Sequence, residues 1–150
     1  MRAVIQRVTR AYVTIDSTIK SSIEQGLLVL LGIEEEDTQE DIDWLSGKIS
    51  RLRIFDDAEG VMNLSVDEAA GNVLVISQFT LHASTRKGNR PSYIRAAKPN
   101  IAVPLYNMFL QQMQQQIKGK VLSGEFGANM QITLVNDGPV TIIIDTKNKE

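Results

Sequence analysis

The apolar run Val73 to Ile76 ends abruptly in Ser77, Gln78, Phe79 and Thr80, within the segment SQFTLHAS at 77–84. Two hydroxyls and an amide at a strand end can aim donors at a substrate carbonyl. Main-chain N–H groups there can do the same, which is oxyanion-hole chemistry. Thr80 becomes a nucleophile only if a base takes its proton. His82 is the one histidine in the chain, and it is the residue type a Ser-His-Asp hydrolase uses as that base. The plainer reading, which the residues taken alone favour, is a strand end with locally satisfied side chains and an exposed loop histidine.

A second candidate is VNDGPVTIIID at 135–145. Glycine and proline before a β-branched run read as a turn that starts a buried strand, because proline cannot donate to a sheet ladder. Local chemistry favours a trans bond at Pro139. The other reading makes the Gly138-Pro139 backbone itself the working surface, since glycine permits close approach of main chain to a ligand. A third candidate is the stretch from Thr85 to Lys98, with five basic residues and no acid. It is either a solvated loop or the place where RNA phosphates would be met. Metal chemistry has little to work with: there is one histidine, no cysteine, and no ligand-like spacing of acids.

These segments need elements to hold them. Alternation over residues 2–8 and 10–15 predicts two half-buried strands, and 19–24 a weaker one. LLVLLGI at 27–33 fits a strand buried on both faces. Thr38 followed by acids is a helix start, and Ile42, Leu45, Ile49 and Leu52 then form one stripe on a helix over about 39–51. Short strands are expected at 52–55 and 61–65 around the turn DDAEG, then a central strand at 73–79. Residues 82–99 form a long polar loop. A second helix covers about 101–117, with Asn100 as cap, Pro104 in its first turn, and Leu105, Met108, Phe109 and Met113 as its apolar face. Strands at about 120–125, 130–136 and 139–145 close the chain. Runs of strands with two inserted helices predict one α+β domain spanning 1–150.

Composition bounds the rest. The chain has 43% hydrophobic and 23% charged residues and a net charge of −2, so nothing pulls nucleic acid globally. No apolar run approaches the ~20 residues needed to cross a bilayer. The first 15 residues carry three arginines and no signal-like apolar core. With zero cysteines, a cytoplasmic location is expected and membrane association is not.

SQFTL at 77–81 and NDGPVT at 136–141 occur together with LLVLLGI at 27–33, KISRLRIFDD at 48–57, MNLS at 62–65, KGNRPSY at 87–93 and FGANM at 126–130. In that order and spacing, over essentially the whole chain, they resemble the D-aminoacyl-tRNA deacylase family. The resemblance implies a homodimer of barrel-like α+β subunits, with mixed and antiparallel sheet, two main helices, and active sites at the interface. It implies hydrolysis of the ester between a D-amino acid and the 3′-terminal adenosine of tRNA, without a cofactor. It places Ser77, Gln78, Phe79 and Thr80 in the catalytic segment. Gly138 and Pro139 would come from the partner subunit as a cis-peptide chirality filter, which Arg7 helps to hold. Phe126 and Met130 would wall the substrate and adenosine pocket. Asn129 stands where the family usually has aspartate, so a charge near that pocket is missing. His82 falls where members vary.

Within that resemblance, Arg86, Lys87 and Arg90 become candidate contacts to the tRNA backbone. A steric filter made of main chain would not cleanly reject glycyl-tRNA. Two other classes stay open. One is a non-catalytic RNA-binding module on the same fold. The other is a small-molecule esterase using Thr80 or Ser77, which the lack of a partnered base argues against.

Overall fold

The structure is a computed structural model describing residues 1–150. Its first unit is a long hairpin. β1 (Arg2–Ile15) turns at Asp16 and Ser17, both with positive φ (48° and 63°), a pair of left-handed residues suited to the right-handed twist of a two-residue hairpin. The chain returns as β2 (Thr18–Ile23) and β3 (Gly26–Gly32), which pair with the second and first halves of β1 respectively. The two strands expected at 2–8 and 10–15 are therefore one strand. The exposed Thr9 and Arg10 that seemed to separate them lie where β1 changes partner.

α1 (Gln39–Ser50) follows β3. Thr38 is its cap, and the Thr38 N–H donates to Asp41 Oδ2 at 2.9 Å. Ile42, Leu45 and Ile49 are fully buried, as their spacing predicts. β4 (Phe55–Asp56) and β5 (Met62–Leu64) make a small separate hairpin, so only the end of the expected strand at 52–55 is one. β6 (Asn72–Ser77) lies parallel to β3. It stops at Ser77, two residues before the expected end, because Phe79–His82 coils into a 3₁₀ turn.

α2 runs Pro99–Gln116, with Lys98 rather than Asn100 as its cap. Proline suits the first helical position because its missing N–H would have had no partner there. Pro104 consequently lies in the second turn, not the first. The buried face is Ala102, Tyr106, Phe109 and Met113, while Met108 is 38% exposed. The face turns toward Tyr106 because its hydroxyl donates to the Val75 carbonyl of β6 at 2.8 Å. Burial pushes that phenol up to about 12.

β7 (Val121–Ser123) adds beside β6, and β8 (Gln131–Asp145) runs along the other edge of β1. The six-stranded sheet curls until Ser21 of β2 donates to the Ser123 carbonyl of β7 at 2.6 Å. The result is an α+β fold with a nearly closed, barrel-like mixed sheet and two helices. One core, built on Leu27, Val29, Leu31, Val73 and Val75, lies between the sheet and the helices. A smaller one, with Leu28, Leu74 and Ile76, fills the inside of the curl. β3 and β6 feed both, which is why their sequences read as continuous apolar runs.

Candidate active site

A cleft of about 300 Å³ opens where β3 and β6 end. Its walls include Leu31 and Ile76 from those strands, Ile33 just past β3, and the 126–130 segment opposite. Ser77, Gln78 and Phe79 form its rim. Phe126 and Met130 both line it, with Asn129 between them. Phe126 is fixed by an edge-on contact with Tyr106, ring centres 5.7 Å apart. Thr80 is not among the lining residues.

The turn after β6 decides which groups are free. The Gln78 N–H is already used, donating to the Leu31 carbonyl at 2.7 Å, so it is no oxyanion donor. Phe79 and Thr80 open the 3₁₀ turn, the position where backbone N–H groups have no partner within their own helix. Gln78 Nε2 donates to Thr80 Oγ1 at 2.6 Å, and no side-chain base shares that hydroxyl. Arg2 Nη1 holds the far end of the turn by donating to the Leu81 carbonyl at 3.1 Å.

His82 is fully buried, contrary to the expectation of an exposed loop residue. The 3₁₀ turn folds its ring inward over Gly32, where an added Cβ would come within 3.1 Å of His82 Cδ2. Neither ring nitrogen has an aligned hydrogen bond. Burial lowers its pKa; the Gly32 backbone and the Glu34 carboxylate pull the other way without winning.

The Gly138-Pro139 segment does not start a strand; it interrupts one. β1 advances only from Gln6 to Val8 while β8 runs from Thr141 back to Asn136, so Asp137 to Val140 bulge from the ladder. Proline is tolerated within sheets at such bulges, which is how two expected strands become one. The peptide bond is cis, and Gly138 has φ +119°. The buried Arg7 spans the bulge: Nε donates to the Asp137 carbonyl (3.3 Å) and lies 3.1 Å from its carboxylate. Nη1 donates to the Ile54 carbonyl at 2.7 Å and to Asp56 Oδ1 at 3.3 Å.

Within one chain the bulge and the cleft are far apart. Ser77 pairs with Leu31, and Leu31 with Ala3. The bulge is level with Arg7, roughly 13 Å further along β1, and three strands across the sheet.

Arg86, Lys87 and Arg90 project from the 82–99 segment with no ion-pair partner. That segment is pinned by mutual Ser84–Ser92 backbone bonds and by Phe79 edge-on to Tyr93, centres 5.1 Å apart. Arg95 differs: it pairs with Glu34 at 3.3 Å. Sequence reasoning missed this Arg95–Glu34–His82 group, since three residues so far apart give no periodic signal. No cluster of three or more His, Asp or Glu side chains is placed to hold a metal ion.

The arrangement is a curled α+β sheet with a largely apolar cleft at the ends of β3 and β6, rimmed by Ser77, Gln78 and Phe79, and a nearby Thr80 hydroxyl held by Gln78 with no base beside it. Comparison with known proteins narrows the class. The family model described as D-Tyr-tRNA(Tyr) deacylase matches residues 4–145, and the chain belongs to that family. A D-aminoacyl-tRNA deacylase of Bacteroides fragilis (strain YCH46) is 63% identical over 150 residues, covering 100% of both chains. One from Akkermansia muciniphila is 58% identical with the same coverage. Among solved structures, the c-Myc DNA Unwinding Element Binding Protein superposes with a TM-score of 0.93 at 42% identity, over 97% of this chain and 99% of that one. A probable eukaryotic D-amino acid tRNA deacylase shares the fold, with a TM-score of 0.81 at 17% identity over 95% and 97%.

Proposed function

We propose that the protein hydrolyses the ester of D-aminoacyl-tRNA, releasing the free D-amino acid and tRNA. The observation that carries this is the polar end of β6, which rims the cleft in a chain that matches deacylases over its full length. The aminoacylated 3′-adenosine would enter the cleft against Phe126 and Met130. The Phe79 and Thr80 N–H groups would meet the ester carbonyl oxygen as it gains charge. Water adds to the carbonyl carbon, the bond to the ribose oxygen breaks, and the proton passes to that leaving oxygen.

Thr80 is a poor nucleophile here, because its hydroxyl is held by Gln78 and lacks a base. Positioning the activated ester, with the substrate's own 2′-hydroxyl helping the water, accounts for catalysis without one.

Handedness is read by main chain. The bulge at Gly138-Pro139, stiffened by Arg7, offers a backbone wall to the substrate α-carbon. A hydrogen fits against such a wall and an L side chain does not. Glycine lacks the clashing group, so glycyl-tRNA is also a substrate. The separation of bulge and cleft within one chain supports a homodimer in which each cleft receives the partner's bulge. Arg86, Lys87 and Arg90 meet tRNA phosphates, a sequence-independent contact that suits many tRNAs. The protein then works in the cytoplasm, where charged tRNA is found.

The similarity to a protein named for binding a DNA unwinding element keeps a second reading alive, a nucleic-acid-binding module without hydrolysis. One assay separates them: release of D-tyrosine from D-Tyr-tRNA, with L-Tyr-tRNA and a simple D-ester as controls. Release from D-Tyr-tRNA alone supports the deacylase. Binding without release supports the module, and turnover of the simple ester points to a general esterase.

A further inference from the structure

His82 is the one buried histidine, and it lies directly beneath the turn that carries Phe79 and Thr80. A ring with two unpartnered nitrogens at zero exposure forfeits its hydration without recovering hydrogen bonds. Two acceptors are close: the Gly32 backbone, which favours the imidazolium without an aligned hydrogen bond, and Glu34 Oε2, 3.8 Å from Nδ1. A movement of roughly 1 Å would bring it to hydrogen-bond distance. What occupies that same oxygen is Arg95 Nη2 at 3.3 Å. The Arg95 side chain is 53% exposed and belongs to the basic segment, which is tied to Glu34 by the Glu34–Ala96 bridge and by the Ala97 N–H to the Ile33 carbonyl at 2.9 Å. Glu34 therefore stands between two competitors, one facing solvent and one under the active-site turn.

We propose that Glu34 and His82 are positioning residues that couple the basic loop to the turn: Arg95 and His82 share Glu34 Oε2, and when Arg95 turns to an RNA phosphate, Glu34 closes on His82 Nδ1 and pins the Phe79–His82 turn. This rests on the reading that the basic loop meets tRNA. Guanidinium exchanges a carboxylate for a phosphate readily, because both accept the same planar pair of donors. The charges around the ring are few. Glu34 faces it from the segment after β3, and Arg95 acts through Glu34. Arg2 of β1 lies nearby, bonded to the Leu81 carbonyl and paired with Asp145 of β8 at 2.7 Å. The N-terminal ammonium adds a smaller repulsion.

A single histidine makes the test direct, since every imidazole ¹⁵N signal is His82. The titration is followed by NMR in the full-length wild type, Arg95→Gln and Glu34→Gln, and in the wild type saturated with uncharged tRNA. Freed from Arg95, Glu34 favours the imidazolium, so Arg95→Gln titrates at higher pH than wild type with Nδ1 hydrogen-bonded. Glu34→Gln titrates lower. Uncharged tRNA shifts the wild type in the same direction as Arg95→Gln. Identical titration of Arg95→Gln and wild type overturns the proposal whatever RNA does. If tRNA shifts the Lys87 and Arg90 amides but not His82, the switch is not coupled to RNA and the proposal falls. If it shifts neither, the tRNA reading of the loop fails, a different and recognisable result that removes the coupling with it.

Kinetics give an independent readout. His82→Phe keeps an aromatic ring in the site, so the turn stays filled; its kcat falls about tenfold, the scale of one lost hydrogen bond, with little change in KM. Glu34→Gln does the same, and the double variant is no worse than either. Additive losses, or losses confined to thermal stability, would show the pair to be structural only.

Discussion

Replacing Gly32 by alanine should slow turnover about tenfold in a protein that still folds. Gly32 ends β3 directly beneath the active-site turn. A Cβ there would stand 3.0 Å from the Gln78 carbonyl oxygen, 3.0 Å from Leu81 Cβ and 3.1 Å from His82 Cδ2, against 3.4 Å or more for ordinary contact. All three atoms belong to the turn, so the turn must rise by a few tenths of an ångström. Gly32 is not among the glycines with positive φ, so the added strain is steric rather than conformational. Overpacking of this kind costs about 1–3 kcal/mol of stability. Catalytic geometry is less forgiving: a 1 Å misplacement can cost about 100-fold, so a shift of a few tenths predicts roughly a tenfold fall in kcat.

The assay is D-Tyr-tRNA deacylation at saturating substrate beside a thermal melt. Gly47→Ala is the control, because Gly47 is a buried α1 position away from the turn and its Cβ would meet only the flexible end of Arg51. There alanine gains about 1 kcal/mol of helix propensity, and kcat should not change. Wild-type kcat in a folded Gly32→Ala protein would refute the claim that the Phe79–Thr80 main chain performs the chemistry.

Three further outcomes are expected. Thr80→Ala is expected to retain most of its kcat, because the Thr80 hydroxyl is held by Gln78 and has no base beside it; complete loss with tRNA binding intact would make it the nucleophile. In mixed dimers of a Gly32→Ala chain with a Gly138→Ala chain, cross-chain sites pair the one unaltered turn with the one unaltered bulge, so the fast sites regain D-over-L selectivity; fast turnover without that selectivity would place each site within one chain. Asp41 also makes stability depend on pH. Burial alone would raise its pKa, but hydrogen bonds from Thr146, the Thr38 backbone and Lys147 hold it well below the usual carboxylate range. A depressed folded value stabilises above the unfolded value of about 3.9 and is lost as pH falls. Asp41→Asn should therefore cost about 1–2 kcal/mol at neutral pH, with the gap to wild type closing below pH 4 in chemical denaturation.

Much of the fold was legible because it rests on local periodicity. The stripe Ile42, Leu45 and Ile49 fixes α1. The unbroken apolar runs of β3 and β6 reflect burial against both cores. What failed was non-local. Gly138-Pro139 carries every local mark of a turn, yet β8 passes through it, because β1 alongside supplies the pairing on both sides of the bulge. The α2 face was legible at Phe109 and Met113, which are buried, but Met108 is exposed and Ala102 and Tyr106 take the remaining places, the tyrosine because its hydroxyl finds the Val75 carbonyl. His82 read as exposed because it opens the long polar, basic segment at 82–99; only the 3₁₀ turn, folding back on Gly32, carries it inside. The cleft residues Phe126 and Met130 came from family resemblance, not from spacing, since nothing in FGANM alone announces a pocket.

The central claim is that the main chain at Gly138-Pro139 reads handedness while the turn after β6 positions the ester. The most direct test is the ratio of initial rates on D-Tyr-tRNA and L-Tyr-tRNA, measured side by side for the wild type and Gly138→Ala. An added Cβ at Gly138 would lie 2.9 Å from Val140 Cγ2 and 3.1 Å from Arg7 Nη2, at a φ of +119° that alanine rarely adopts, so the bulge must rearrange. The wild type should cleave the D-ester and spare the L-ester, and Gly138→Ala should lose much of that discrimination. Equal wild-type rates on the two esters, or full discrimination kept by a folded Gly138→Ala protein, would contradict it.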